Sequence, residues 1–195
     1  MELKLVKLNK IYTRTGDSGS AGLVDGSRVS KASQRMAAIG EIDEANCAIG
    51  MAIALLDGEI AAGLTRIQNE MFDCGADIAT PGGGDVSDSE YALRIVERQV
   101  ARLEEEIDAM NASLSPLTSF ILPSGSTAVA ALHFARGVVR RAERATVALA
   151  DNERVNPHAL AYLNRLSDHL FVAARSVAAG KGGDVLWQPG ATRTK

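Results

Sequence analysis

"ALHFARGVVRRAER", Ala131 to Arg144, is the stretch that decides the fold. Its apolar positions Leu132, Ala135, Val139 and Ala142 recur three or four residues apart, the period of one buried helix face. With Val129 and Leu149 the stripe extends over a helix from about Ser126 to Ala150. Four arginines on this helix stand against a single acid, Glu143. His133, Arg136, Arg140 and Glu143 form a second stripe, with Arg144 at its edge and Arg141 turned away by about 100°. A solvated face ordinarily mixes Glu with Lys, yet no acid lies at i±4 from these arginines, and no lysine occurs between Lys31 and Lys181. The stripe fits a polyanion, a carboxylate of a neighbouring subunit or a plain surface.

The same period continues on both sides. Ser33 is placed to cap a first helix carrying Met36, Ile39, Ile42, Ala45 and Ile49 and ending near Leu56. Asp57-Gly58 makes a turn, and a second helix from about Glu59 to Ala79 turns Leu64, Ile67, Met71 and Ile78 inward before "TPGGGD" stops it. A third, from about Asp88 to Met110, carries Leu93, Val96, Val100, Leu103 and Ile107, with "EEEID" as a solvated face. A loop with two prolines, "NASLSPLTSFILPSG", leads into the quoted helix. Asn156-Pro157 opens a fifth, since Asn caps well and Pro fits the first turn; it runs to about Ala179. No run alternates with period two, so the sequence predicts an all-α bundle of five helices.

With 195 residues, 46% of them hydrophobic, the chain suits one domain with a sizeable core. We divide it into an N-terminal loop, 1–32, a helical bundle, 33–180, and a flexible glycine-rich tail, 181–195, whose Trp187 is expected to fold over a neighbouring surface. A net charge of −3 argues against nucleic acid or a membrane surface as partner. Cys47 and Cys74 lie far apart without a C-x-x-C, so two reduced, packed thiols are expected. "MELKLVKLNK" lacks the apolar run of a signal peptide, and no stretch approaches the ~18 apolar residues of a membrane span, so a cytoplasmic protein is expected.

Two further stretches bear on chemistry. In "KIYTRTGDSGSAGLVDG", Lys10 to Gly26, repeated Gly, Ser and Thr suit a backbone that turns several N–H groups towards one anion, though it also reads as an N-terminal arm. It is not a Walker motif, because no G-K-[ST] follows. In "YLNRLSDHLF", Asn164 and Asp168 lie one turn apart with Arg165 within reach of Asp168, a set that suits hydroxyl or amine recognition and equally suits hydrogen bonds within a bundle.

"YTRTGDSGSAGL", "RMAAIGEIDEANCAIG", "FILPSGSTAVAALHFARGVVRRAER" and "YLNRLSDHLFVAAR" occur in the order and at about the spacing of the trimeric ATP:cob(I)alamin adenosyltransferases, which the chain resembles over nearly its whole length. The resemblance implies a five-helix, ferritin-like bundle assembled as a homotrimer with active sites between protomers. It implies transfer of the 5′-deoxyadenosyl group of ATP to cob(I)alamin or a corrinoid precursor, with release of triphosphate. Co(I) is already a strong nucleophile, so positioning and charge neutralisation are what the protein supplies.

By that similarity Arg140 lies on the triphosphate, with Glu143 and Asn164 among the ATP-site residues. Thr13, Thr15, Gly16, Asp17, Ser18, Gly19 and Lys31 wrap the nucleotide, and Mg²⁺ shares the phosphate charge. Arg136 is similar to a family arginine that pairs with an aspartate of the adjoining subunit, here Asp43. Phe120 matches a phenylalanine placed beneath the corrin, where its ring displaces the lower axial ligand and eases reduction of cobalt. A reductase and an acceptor enzyme that uses adenosylcobalamin are the further partners implied.

The chain departs from the family pattern at Ser20-Ala21, where threonine is usual, at Ser124 in place of glycine, and at Ala45 in place of leucine. Ala21 cannot donate a hydroxyl to phosphate or magnesium. The competing reading is an oligomeric helical ATP-binding regulator or scaffold without catalysis, which has no use for an apolar Phe120 presented to a macrocycle. A di-iron bundle is disfavoured, since no Glu-x-x-His occurs and the histidines are only His133, His158 and His169.

Overall fold

The computed structural model describes residues 11–82 and 93–193. Five helices carry the fold: α1 (Gln34–Ile53), α2 (Gly58–Ile78), α3 (Glu97–Asn111), α4 (Thr127–Ala150) and α5 (Pro157–Ala179). Three starts follow from the expected residues. Ser33 and Ser126 accept the N–H of Met36 and Val129, both at 3.4 Å, and Asn156 accepts that of His158 at 3.0 Å. Pro157 occupies the first turn of α5.

Helix α1 packs on α2 and α4, and α5 packs on α4 and α3, with α2 also touching α5. Ile42 and Ile49 of α1, Leu64, Ile67 and Met71 of α2, Leu132 and Leu149 of α4, and Leu163 and Leu166 of α5 are at most 1% exposed and form the centre. Ala38, Ala45, Ala135 and Ala142 are also fully buried where α1 meets α4, so the stripe of small residues is a packing seam.

Two expectations need correction. The third helix begins at Glu97, not in the high 80s; Asp88 to Tyr91, and Ala92, lie outside the described residues. Leu93 and Val96, expected inward, are 57% and 51% exposed, and Ile95 is buried in their place. The reason is a polar hub at Asp77, which is 1% exposed. Its carboxylate accepts from Arg94 at 2.6 Å, from the Ile95 N–H at 2.8 Å and from Asn156 at 2.6 Å. This holds residues 94–96 extended, and helix α3 starts where Gln99 Oε1 accepts the Val96 N–H at 2.9 Å.

Nor is "EEEID" wholly a solvated face. Glu104 and Glu105 are exposed, but Glu106 turns in to Arg66 at 2.6 Å and to His169 Nε2 at 3.0 Å. Beside it Glu70 accepts the Tyr162 hydroxyl at 2.8 Å and pairs with Arg102. These groups form a polar layer between α2, α3 and α5, buried at Glu70, Tyr162 and His169 and open to water at Arg66, Arg102 and Glu106.

The N-terminal region contains a small ribbon that period-two patterning missed, because each strand has only three residues. Strand β1 (Ser20–Gly22) pairs antiparallel with β2 (Arg28–Ser30), Ala21 opposite Val29. Gly26, at φ 84°, closes the turn between them, and Asp25 accepts the N–H of Ser27 at 2.9 Å. The ribbon is tied to the bundle where the Val24 N–H donates to the carbonyl of Ala79, just past α2, at 3.1 Å.

Candidate functional site

The arginine stripe of α4 faces α5 across an open cleft of about 730 Å³, lined by Phe120, Arg136, Arg140, Asp168, Phe171 and Trp187 among others. A second hollow of about 360 Å³ continues past Arg140 to Glu143, Arg144 and Asn164. Arg140 stands on both, so the two hollows are one surface divided by its side chain.

The arginines of α4 differ in their partners. Arg141 pairs with Glu41 at 2.5 Å and also with Glu44, both on α1, so it holds the α1–α4 seam and is removed from the cleft. Arg140 is exposed and forms no ion pair among the described residues. Arg136 is half-buried, its guanidinium 5.6 Å from the centre of the Phe171 ring and its Nε buried without a partner. Burial, and then the charge of Arg140, lower its pKa from the usual arginine value. Although Asp168 lines the same cleft, the two adjacent guanidinium groups form no ion pair among the described residues, which makes this face attractive to an anion.

Next to Arg136, His133 is 5% exposed and neither ring nitrogen has a hydrogen-bond partner among the described residues. Burial first, and Arg136 second, push its pKa below the ordinary histidine value, so it is held neutral. Asn164 donates to Glu143 Oε1 at 2.7 Å, and Arg165 joins Asp168 at 2.8 Å and Glu104 at 3.0 Å. The expected Arg165–Asp168 reach is therefore occupied.

The opposite wall is the loop before α4. Phe120 projects its ring outwards, 77% exposed, with Trp187 packed at 6.0 Å between ring centres. Within the segment expected to be a flexible tail, the Trp187 N–H donates to the Phe120 carbonyl at 2.7 Å, and the Leu122 N–H donates to that of Val185 at 2.8 Å. Trp187 is thus folded over the Phe120 loop.

The N-terminal loop is built tightly but stands apart. Thr13 and Thr15 hydroxyls meet at 2.8 Å, and the Lys31 N–H donates to the Gly19 carbonyl at 2.9 Å. A Cβ on Gly16 would lie 2.9 Å from Lys31 Nζ, so a side chain there would push the lysine end aside. Arg28 donates to the Thr15 carbonyl at 2.8 Å and to Ser20 Oγ at 2.9 Å, which gives the Ser20 hydroxyl a structural role. Asp17 and Ser18 are exposed. None of Thr13, Thr15, Gly16, Asp17, Ser18, Gly19 or Lys31 lines either hollow.

The structure therefore brings Phe120, Arg136, Arg140, Glu143 and Asn164 to one face and leaves the loop and Asp43 elsewhere. Asp43 is exposed on α1 and makes no ion pair with Arg136 within the chain. Of the departures, Ala45 is fully buried and Ala21 sits in the ribbon opposite Val29. The thiols split: Cys74 is buried, its pKa raised by burial and by Asp77, but Cys47 is exposed, contrary to the expectation of two packed thiols. Phe171 and Trp187 escaped the sequence reading as site residues. Phe171 lies seven residues after Asn164, two helical turns along the same stripe, so helical spacing alone could have marked it.

Among the described residues no group of three or more His, Cys, Asp or Glu could hold a metal ion, and no helix is long and apolar enough to cross a membrane.

Comparison with known proteins shows the family. The family model described as cobalamin adenosyltransferase matches residues 11–177. A corrinoid adenosyltransferase of Mycobacterium tuberculosis is 50% identical over 194 residues, covering 97% of this chain and 98% of the relative. One from Bacillus subtilis is 45% identical over 185 residues, covering 92% of each. A phenylalanine-to-histidine variant of a PduO-type ATP:corrinoid adenosyltransferase from Lactobacillus reuteri, solved with cobalamin and ATP, superposes with a TM-score of 0.85 at 36% identity, over 92% of this chain and 97% of that one. With five helices in the same arrangement and sequence similarity running from the N-terminal loop through α5, the chain belongs to the cobalamin adenosyltransferase family.

Proposed function

We propose that this protein is a corrinoid adenosyltransferase that moves the 5′-deoxyadenosyl group of ATP onto cob(I)alamin or a corrinoid precursor. The electron pair of Co(I) forms the cobalt–carbon bond as the C5′–oxygen bond breaks, and that bond's pair leaves with triphosphate. Cobalt ends formally as Co(III), and no protein group need gain or lose a proton.

The observation that carries this reading is the pairing, on one cleft, of an ion-pair-free Arg140 with a solvent-facing Phe120. Arg140 neutralises charge developing on the departing triphosphate, with Glu143 and Asn164 beside it. Arg136 continues the positive edge. Phe120 presents an apolar ring to the lower face of the corrin. Mg²⁺ arriving with the nucleotide would share its phosphate charge.

The nucleotide loop completes the site from a second copy. Its residues Thr13 to Gly19 and Lys31 line neither hollow of their own chain, and Arg136 lacks a carboxylate that Asp43 of another copy would supply. We therefore propose a homotrimer, in a cytoplasmic setting, with the sites between protomers. A reductase delivers Co(I), and an enzyme that uses adenosylcobalamin takes the product. A nucleotide-binding scaffold would gain nothing from Phe120.

The test is direct. Protein, ATP, Mg²⁺ and chemically reduced cobalamin, mixed anaerobically, should give the adenosyl-cobalt spectrum and free triphosphate. Phe120→Ala should keep ATP affinity and lose the four-coordinate fraction of bound Co(II)alamin. ATP binding without an adenosyl-cobalt product would favour the scaffold.

A further inference from the structure

Arg175, in the last turns of α5, is 7% exposed and holds two segments that the chain separates. Its Nε donates to Asp184 Oδ2 at 3.0 Å, and its terminal nitrogen donates to the Ser115 carbonyl at 2.7 Å. Ser115 lies in the loop shortly before Phe120, and Asp184 in the tail shortly before Trp187. From these two points the segments run side by side. Ile121 and Leu186 form an antiparallel bridge, and the Ser119 hydroxyl donates to the Trp187 carbonyl at 2.7 Å.

Apart from these bonds to the Phe120 loop, the Arg175–Asp184 pair is the tail's one side-chain ion pair among the described residues. Val185, Leu186 and Trp187 stay 42%, 39% and 44% exposed, so their apolar contacts only partly offset the entropy of ordering them. Gly182 and Gly183, at φ 101° and 91°, turn the chain out of α5, and the Lys181 and Gly183 N–H groups close that turn on the Ala178 carbonyl at 2.8 and 2.9 Å. The Arg175–Asp184 pair lies just beyond that turn, with side chains only 8% and 16% exposed, a setting where a charge-assisted bond is much stronger than on an open surface.

We propose that Arg175 is a positioning residue: through Asp184 it latches the tail to the Phe120 loop, so that Trp187 backs the Phe120 ring and the two aromatic side chains form one platform for the corrin. The inference rests on the reading of Phe120 as the corrin-facing residue. It assigns Trp187 a role in corrinoid binding and none in ATP binding.

Trp187 is the only tryptophan of the chain, so its fluorescence reports the tail directly. In the full-length protein, Asp184→Asn keeps the side-chain volume and removes the charge. It should shift Trp187 emission to the red and raise its quenching by acrylamide. The corrinoid KM should rise by about tenfold, the size expected for one charge-assisted bond, with the ATP KM unchanged, while the melting temperature falls because Arg175 loses a buried partner. Asp184→Glu should restore part of both signals, and Trp187→Ala should raise the corrinoid KM alone. Wild-type emission and kinetics in Asp184→Asn would overturn the latch. A freed Trp187 with an unchanged corrinoid KM would overturn the platform. A wild-type protein that makes no adenosylcobalamin would instead overturn the function on which the platform depends, and the fluorescence would then decide the latch by itself.

Discussion

Asn164 of α5 donates to Glu143 of α4 at 2.7 Å, which stitches the two helices together at the rim of the hollow beside Arg140. Glu143 is oriented by this bond, so the two residues should act as a unit. Glu143→Ala and Asn164→Ala should each raise the ATP KM, and the double variant should cost less than the sum, by a coupling of roughly 0.5–3 kcal/mol. Additive losses would show that the bond does not serve the nucleotide.

Arg140→Ala should weaken ATP use by about ten- to a hundredfold, the loss of a charge-assisted phosphate contact worth roughly 1.5–3 kcal/mol, with helicity intact. Arg140 holds no ion pair among the described residues, so no carboxylate is left stranded by the change. ATP kinetics identical to wild type would remove Arg140 from the phosphate site.

For Arg136 and Asp43 the measurement is assembly. Arg136 has a buried Nε without a partner, and Asp43 is exposed on α1. Either alanine variant should shift sedimentation towards smaller species and reduce activity. The double variant should be no worse than the poorer single one, since removing both partners strands neither. Strict additivity would mean that the two residues do not meet.

Asp77 ties α2 to the start of α3 and of α5, accepting from Arg94, Ile95 and Asn156 while 1% exposed. Asp77→Ala leaves a mostly buried guanidinium and a buried amide without their acceptor. It should cost about 3–5 kcal/mol in urea unfolding. A loss below 1 kcal/mol, on the scale of an exposed pair, would contradict the hub.

His133 carries a pH prediction. Burial and Arg136 lower its pKa in the folded chain, with a smaller opposing pull from Asp184. The unfolded chain therefore binds this proton more readily than the folded one. Its contribution is fully favourable above the unfolded value of 6.5 and is lost as pH falls below it. Melting temperature should drop from pH 7 to pH 5 more in wild type than in His133→Leu; parallel curves would show that the ring is protonated in place.

The helices were legible because each buries a continuous apolar stripe, and their caps were legible because Ser33, Ser126 and Asn156 are good acceptors at the right offsets. The start of α3 was not: Leu93 and Val96 keep helical spacing, but the carboxylate of Asp77, far away in sequence, takes the Ile95 N–H and keeps the chain extended. Glu106 was misread for a similar reason, since its partners Arg66 and His169 come from two other helices. The ribbon of β1 and β2 was too short to leave a pattern. At the site, Arg136, Arg140, Glu143 and Asn164 were visible as helical stripes on α4 and α5. Trp187 was not, because its neighbour Phe120 is brought to it by a loop and a tail whose pairing no local spacing encodes.

The buried hydroxyl of Tyr162, bonded to Glu70 of α2, also sets an order for biosynthesis. Glu70, Arg102 and Glu106 are translated before α5, and until Tyr162 and His169 emerge from the ribosome that polar layer lacks its lid. The nascent chain can gather α1, α2 and α4 early, but the layer between α2 and α3 lacks two of its partners until α5 arrives.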